Sequence, residues 1–227
     1  MTIFLVIAFV VALAATQWYF TRQRRREAQK ARSAVRFVEV GPSAQPAGDV
    51  LFHPGHTWVQ VHGDGLASVG ATAFAANFAG QIERVELPSE GRSLRQADRG
   101  WSLVSRGGRR LELAMPLGGR VLAVNPEILR DPELIQRRPY DLGWILRVKP
   151  RTSGRALRNL LPLRAAQAWV DAARTAVTSR LARVSTVSAF DGGEWVTAFG
   201  EWLEDEDWRE LYHDLFPQLP APLEDEL

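Results

Sequence analysis

The sequence predicts a mixed fold: an N-terminal transmembrane helix, a β-rich middle domain and a C-terminal α-helical region. Three observations predict it. Thr2 to Phe20 carry no charge, and a cluster of arginines follows at once. From about residue 49 to residue 150 the apolar runs are short, alternate with polar positions, and are punctuated by glycine and proline. Beyond residue 150 apolar side chains recur at three- to four-residue spacing instead. These changes place boundaries at 1–21 (anchor), 22–48 (basic juxtamembrane helix and linker), 49–150 (β-rich domain), 151–190 (basic amphipathic helical segment) and 191–227 (acidic aromatic helix and tail).

The run TIFLVIAFVVALAATQWYF spans 19 residues. At 1.5 Å per residue it makes roughly 28 Å of helix, close to the thickness of a bilayer's hydrocarbon core. Trp18 and Tyr19 stand where an interfacial aromatic belt falls, and Arg22, Arg24, Arg25 and Arg26 follow. Ala12-Leu13-Ala14 also resembles a signal-peptide cleavage site, but no basic side chain precedes the run and the dense arginines after it oppose translocation. The expectation is a single-pass protein of the bacterial inner membrane, N-terminus outside and soluble part cytoplasmic. Residues 2–20 would meet the membrane and Arg22–Arg26 its anionic headgroups, each basic residue contributing about 1 kcal/mol near the surface.

The formal net charge is only +2, yet the charge is segregated. Residues 22–36 sum to +6, residues 151–190 to +6, and residues 191–227 to −11. Such segregation gives a basic root, a mixed middle and an acidic tail. No aromatic residues interleave with the basic cluster Arg106, Arg109 and Arg110, which weakens single-stranded nucleic-acid binding, and no nucleic acid is expected. Cysteine is absent, which excludes disulfides, thiolate metal sites and cysteine nucleophiles. Lysine occurs only at Lys30 and Lys149, against 26 arginines.

Within the middle domain, HTWVQVHGDGLASVGAT reads as a hairpin turning at Gly63-Asp64-Gly65. FAANFAGQ reads as a short helix, IERVELP as a strand and SEGRSL as a turn. SLVSRGGRRLELAMPLGGRV (residues 102–121) gives two strands flanking the basic tip Arg106-Gly107-Gly108-Arg109-Arg110, then a second turn at Pro116–Gly119. GGRVLAVN leads into a helix opened by Pro126, and GWILRVKP is a closing strand.

Three runs carry a family resemblance: HTWVQVHGDGLASVGATAFAANFAGQIERVELPSEG, MPLGGRVLAVN and LRDPELIQRRPYDLGWILRVK. From His56 to Lys149 the chain resembles the glycine cleavage system H protein, a relative of lipoyl domains. The order Asp-Pro-Glu-Leu, Pro-Tyr, Gly-Trp-Ile in the last run is the most specific part. The resemblance implies a barrel-sandwich hybrid, two small antiparallel sheets facing each other. It also implies a lysine at the hairpin tip that carries lipoic acid through an amide bond. Counted back from Pro116 and Asn125, that position is Gly108. Arginine is no substitute, because amide formation needs a neutral amine and a guanidinium stays protonated and delocalised. The degenerate site near Gly108 therefore predicts a domain without its carrier group, and no cofactor.

Other chemistry is sparse. His53 and His56, with His62 nearby, invite a metal reading, but no cysteine or paired carboxylate accompanies them, and structural histidines are expected. Gly63-Asp64-Gly65 is a turn and not a phosphate loop, and Glu83, Glu86 and Glu90 fit solvated strand and turn positions. No catalytic constellation emerges, so the chain is expected not to be an enzyme. Arg106, Arg109 and Arg110 are candidates to bind an anion or a partner, with a solubilising loop as the bland alternative; the chain's own acidic tail is a third destination.

In the C-terminal third, Leu163, Ala166, Val170, Ala173, Val177 and Val184 form a stripe on one or two basic helices broken near Pro162. Trp195, Phe199, Trp202, Trp208 and Leu211 make an aromatic stripe on the acidic tail. That stripe must be buried somewhere, either on the basic helix as a hairpin of opposite charge or on a protein partner. The composite expectation is a membrane-anchored, non-lipoylated H-protein-like adaptor with an unknown protein partner. A glycine-cleavage carrier and a membrane-fusion-type envelope adaptor are the alternatives.

Overall fold

The computed structural model describes residues 49–151, 157, 159–184 and 198–217, the side chains of 181–184 excepted. The anchor at 2–20, the juxtamembrane segment, Trp195 and all of the residues after Pro217 lie outside the described residues. Among the described residues, no helix is long and apolar enough to cross a membrane.

Among the described residues, ten strands form two antiparallel sheets. They are β1 (Val50–His53), β2 (Thr57–Val61), β3 (Ala67–Ala71), β4 (Ile82–Glu86), β5 (Ser93–Leu94), β6 (Arg99–Ser105), β7 (Arg110–Ala114), β8 (Gly119–Val124), β9 (Leu146–Pro150) and β10 (Leu161–Pro162). The larger sheet runs β10-β1-β2-β3-β9-β8-β5 and the smaller β4-β6-β7. The hairpin anticipated around residues 63–65 is β2–β3, with Val59 opposite Val69. The hairpin with the basic tip is β6–β7, with Leu103 opposite Leu111. One apolar core draws on both sheets: Val59, Val69, Leu146 and Val148 from the larger, Trp101, Leu103, Leu111 and Leu113 from the smaller.

Among the described residues, five helices and one 3₁₀ turn accompany the strands: α1 (Ala73–Phe78), α2 (Pro126–Arg130), α3 (Leu134–Arg137), α4 (Leu163–Val184), the 3₁₀ turn Phe199–Trp202, and α5 (Asp205–Leu215). α1 starts because Thr72 caps it, its hydroxyl accepting from the Ala75 N–H at 3.2 Å. α2 follows Asn125, whose side-chain oxygen accepts from Glu127 N–H, and Pro126 occupies the first turn, where its missing N–H has no partner to lose. α4 is a single helix that begins immediately after Pro162. Leu161-Pro162, expected only as a break, adds an edge strand to β1. Proline is tolerated there because an edge position need not donate on both sides.

α4 buries Ala166, Ala173 and Val177 from its predicted stripe. Its first turns cover Val50, Phe52 and Trp58 in a second, smaller cluster. α1 is unusual among the helices: Phe74, Ala75, Ala76, Asn77 and Phe78 are all buried. A helix that is apolar all round has to be covered on all sides. The domain covers one side, and the C-terminal residues 198–217 cover the other.

Candidate functional site

The tip of the β6–β7 hairpin is a tight turn organised by Ser105. Its N–H donates to the Arg109 carbonyl at 2.9 Å, its carbonyl accepts from Gly108 N–H at 2.9 Å, and its hydroxyl accepts from Arg109 N–H at 3.1 Å. Gly108 is exposed and sits at φ +81°, a left-handed conformation that glycine adopts without steric cost. A Cβ built there would meet nothing within 4 Å. Arg106 is exposed, and its N–H donates to the Gln81 carbonyl at 2.8 Å, tying the tip to the start of β4.

Arg109 points the other way, into the C-terminal segment. Its guanidinium donates to the carbonyls of Gly200 and of Leu203 (2.7 Å), and to the Asp205 carboxylate from Nη2 at 2.6 Å and from Nε at 3.1 Å. It also lies 5.8 Å from the Trp208 ring centre. Asp205 is 80% exposed, so the ion pair alone is worth no more than about 1 kcal/mol. The larger contribution comes from the main-chain carbonyls, which accept charge-assisted hydrogen bonds at about 1.5–3 kcal/mol each. Arg110 pairs instead with Glu86 at 2.6 Å and Glu112 at 3.4 Å along the sheet.

Around this clasp the segment is seated by side chains. Trp208 Nε1 donates to the Phe78 carbonyl at 3.0 Å, and its ring stacks on Phe78 at 5.3 Å. The Ala198 N–H donates to Asn77 Oδ1 at 2.8 Å, and the Gln81 N–H donates to Glu201 at 2.7 Å. Phe199 and Phe216 close over Phe74 and Phe78. Each large apolar side chain buried this way contributes about 1.5–3 kcal/mol, so aromatic burial outweighs any single ion pair here. Gly200 is pressed against the chain: a Cβ there would sit 1.9 Å from the Phe78 carbonyl oxygen.

A family model described as "Glycine cleavage H-protein" matches residues 50–172. The chain belongs to the glycine cleavage H-protein family. A glycine cleavage system H protein from Aliivibrio salmonicida is 33% identical over 114 residues, covering 50% of this chain and 89% of that protein. One from Chromobacterium violaceum is 38% identical over 95 residues, covering 42% and 73%. A solved H protein from Mycobacterium marinum is 27% identical, covers 52% of this chain and 94% of its own, and has a TM-score of 0.46.

The H-protein match runs past the anticipated boundary at 150, through β10 and into α4, and stops well short of residues 198–217. The clasp on the hairpin tip is therefore made by a segment outside the family-matched stretch. Neither lysine lies at the tip. Lys149 is exposed on β9 in the other sheet, and Lys30 is outside the described residues.

His53, His56 and His62 serve separate purposes. His53 Nδ1 accepts from the Gly55 N–H at 2.9 Å, and burial lowers its pKa. The His62 Nε2 pairs with the Ser68 hydroxyl at 2.8 Å. His56 is fully buried at φ 56°, its ring 3.9 Å from Trp169, 4.5 Å from Phe74 and 4.7 Å from Phe216. Burial holds its pKa down to about 3, and the Leu215 backbone opposes that shift only slightly. Neither ring nitrogen reaches full hydrogen-bonding geometry, the Leu215 backbone lying near without completing a bond.

The tail's aromatic stripe takes the intramolecular destination. Phe199, Trp208 and Leu211 are buried, and Trp202 keeps 40% of its surface exposed. Its main support differs from the anticipated hairpin of opposite charge. Arg180 of α4 does pair with Asp207 (3.2 Å) and with Glu210, but α1 receives most of the aromatic rings. Sequence reasoning did not pick out Asn77, Phe78, Gln81, Gly200 or Asp205. The readable signal was FAANFA, a helix with no polar face wide enough to meet water.

Proposed function

We propose that this is a single-pass membrane protein that holds a non-lipoylated H-protein-like domain in the cytoplasm and uses it as a non-catalytic adaptor. The observation that carries this reading is the tip itself. Glycine occupies position 108, and the neighbouring Arg109 is fastened to the chain's own C-terminal segment. A swinging cofactor arm needs an acylatable amine on a tip free to visit other proteins, and neither requirement is met there. The uncharged run 2–20, followed by Arg22–Arg26, supports the anchor and the headgroup contact.

Intact mass spectrometry of the full chain from cells that make lipoate is the test. The unmodified mass is expected. A lipoyl amide on Lys149 or Lys30 would reject this reading and favour the second one, a glycine-cleavage carrier, which family membership supports. A topology reporter fused after residue 227 is expected to report the cytoplasm; periplasmic activity would favour an envelope adaptor of the membrane-fusion type.

A further inference from the structure

The contact between residues 198–217 and the domain has the form of a bound peptide. No strand ladder joins the two among the described residues. Side chains read main-chain groups in both directions instead. Arg109 reads the carbonyls of Gly200 and Leu203, Asn77 reads the Ala198 N–H, Glu201 reads the Gln81 N–H and Trp208 reads the Phe78 carbonyl. The segment supplies the acids and the domain and α4 supply the cations: Asp205 to Arg109, Asp207 and Glu210 to Arg180. α5 has 11 residues, shorter than the roughly 12–15 at which an isolated helix becomes even marginal in water, so it depends on the surface beneath it. The segment lies beyond the family-matched stretch, while α1 and the Arg109 tip that it covers lie within it.

We propose that the face formed by α1 and the Arg109 tip is a recognition site for an acidic, tryptophan-bearing helical segment of a partner protein, kept closed by residues 198–217 acting as a tethered copy of that ligand. The seated segment defines the chemistry the site accepts. A Phe-Gly turn passes against the Phe78 carbonyl where no Cβ fits. A carboxylate then meets Arg109, and an indole three residues later both stacks on Phe78 and donates to its carbonyl. Release would expose the Arg109 guanidinium together with the Phe74–Phe78 apolar surface, a charged anchor beside aromatic pockets. The covalent connection makes opening competitive: a tethered ligand acts at an effective concentration of up to about millimolar, which a partner has to exceed in affinity or local concentration. This inference rests on the adaptor reading, but its experiment measures peptide binding and not acylation, so the two fail separately.

The test uses the full chain in detergent micelles with a protease site inserted between Phe190 and Asp191. The probe is a fluorescent peptide with the sequence of residues 198–217. Before cleavage the tethered segment competes and the probe is expected to bind weakly; after cleavage and dilution its affinity should rise at least tenfold. Arg109→Ala in the cleaved chain should weaken the probe about tenfold or more, Arg109→Lys less, and a probe carrying Trp208→Ala should lose binding. Unchanged affinity after cleavage would overturn the proposal, as would a cleaved segment that never exchanges with probe. Unfolding of the cleaved chain overturns it too, because a recognition site must stand without its occupant. Concentration-dependent dimerisation of the uncut chain, abolished by Arg109→Ala, would replace the partner with segment exchange between two copies.

Discussion

The His56 imidazole lies 3.9 Å from the Trp169 indole, their planes 26° apart, so the loop between β1 and β2 and the helix α4 share one aromatic stack. Phe74 and Phe216 complete it, which brings α1 and the end of α5 to the same point. Trp169 of α4 and Phe216 at the end of α5 therefore meet the domain at a neutral histidine.

Acid should dissolve that junction. The folded chain holds His56 at a pKa of about 3 against an ordinary 6.5, so the unfolded chain binds the extra proton across that interval. Stability from this group is complete above pH 6.5 and is lost as the pH falls toward 3. At pH 4.5 the loss is about 2–3 kcal/mol. His56→Phe keeps the stack and removes the titration. Urea unfolding at pH 7.5 and 4.5 is expected to show a larger acid loss in the natural chain than in this variant, by that amount. Equal losses would mean the imidazole is not buried neutral.

Arg109→Ala should loosen residues 198–217 while leaving the sheets intact. It removes two hydrogen bonds to main-chain carbonyls and the Asp205 pair, a cost of about 2–4 kcal/mol at the segment. Hydrogen exchange is expected to accelerate in α5 and not in β6. Arg109→Lys retains charge without the planar fork and should fall between the two.

Much of the domain was legible in the sequence because strands announce themselves locally. Trp58-Val59 and Val61 alternate about a glycine turn, and Pro126 after Asn125 marks a helix start whatever lies around it. The glycine-rich, lysine-free tip was legible for the same reason, since it is read directly from residues 106–110. The clasp was not. Arg109 and Asp205 stand 96 residues apart, and an arginine at a glycine-rich tip looks alike whether it faces water or a carbonyl. β10 also escaped, because a two-residue strand containing Pro162 has no period to detect.

Asn125 is expected to be the costliest polar residue to replace among those that hold the domain's shape. It is buried, caps α2 through its oxygen, and donates from Nδ2 to the carbonyls of Leu142 (2.8 Å) and Trp144 (2.7 Å). Asn125→Ser retains a capping oxygen and loses the two donations, about 1–3 kcal/mol. Asn125→Asp also retains the cap but turns a buried carboxylate toward two carbonyl oxygens, which is worse. Urea midpoints should fall in the order Asn, Ser, Asp; Asp matching Asn would show that the two donations contribute nothing.

Two glycines separate a position where the chain tolerates a side chain from one where it does not. At Gly108 a Cβ meets open space, and only the left-handed backbone resists substitution, at about 1–2 kcal/mol. Gly108→Lys should therefore fold, keep the Arg109 clasp, and lower the melting temperature by only a few degrees, as such a cost implies for a domain of this size. At Gly200 a Cβ would stand 1.9 Å from the Phe78 carbonyl oxygen, a backbone atom that cannot swing aside as a side chain would. Gly200→Ala must lift the 3₁₀ turn off α1, and with it the Trp208 Nε1–Phe78 hydrogen bond. The ¹⁵N–¹H signal of the Trp208 indole reads both outcomes: it should persist in Gly108→Lys and move to a solvent-exposed position in Gly200→Ala. An unmoved indole in Gly200→Ala would mean that the segment is not pressed against α1 as described.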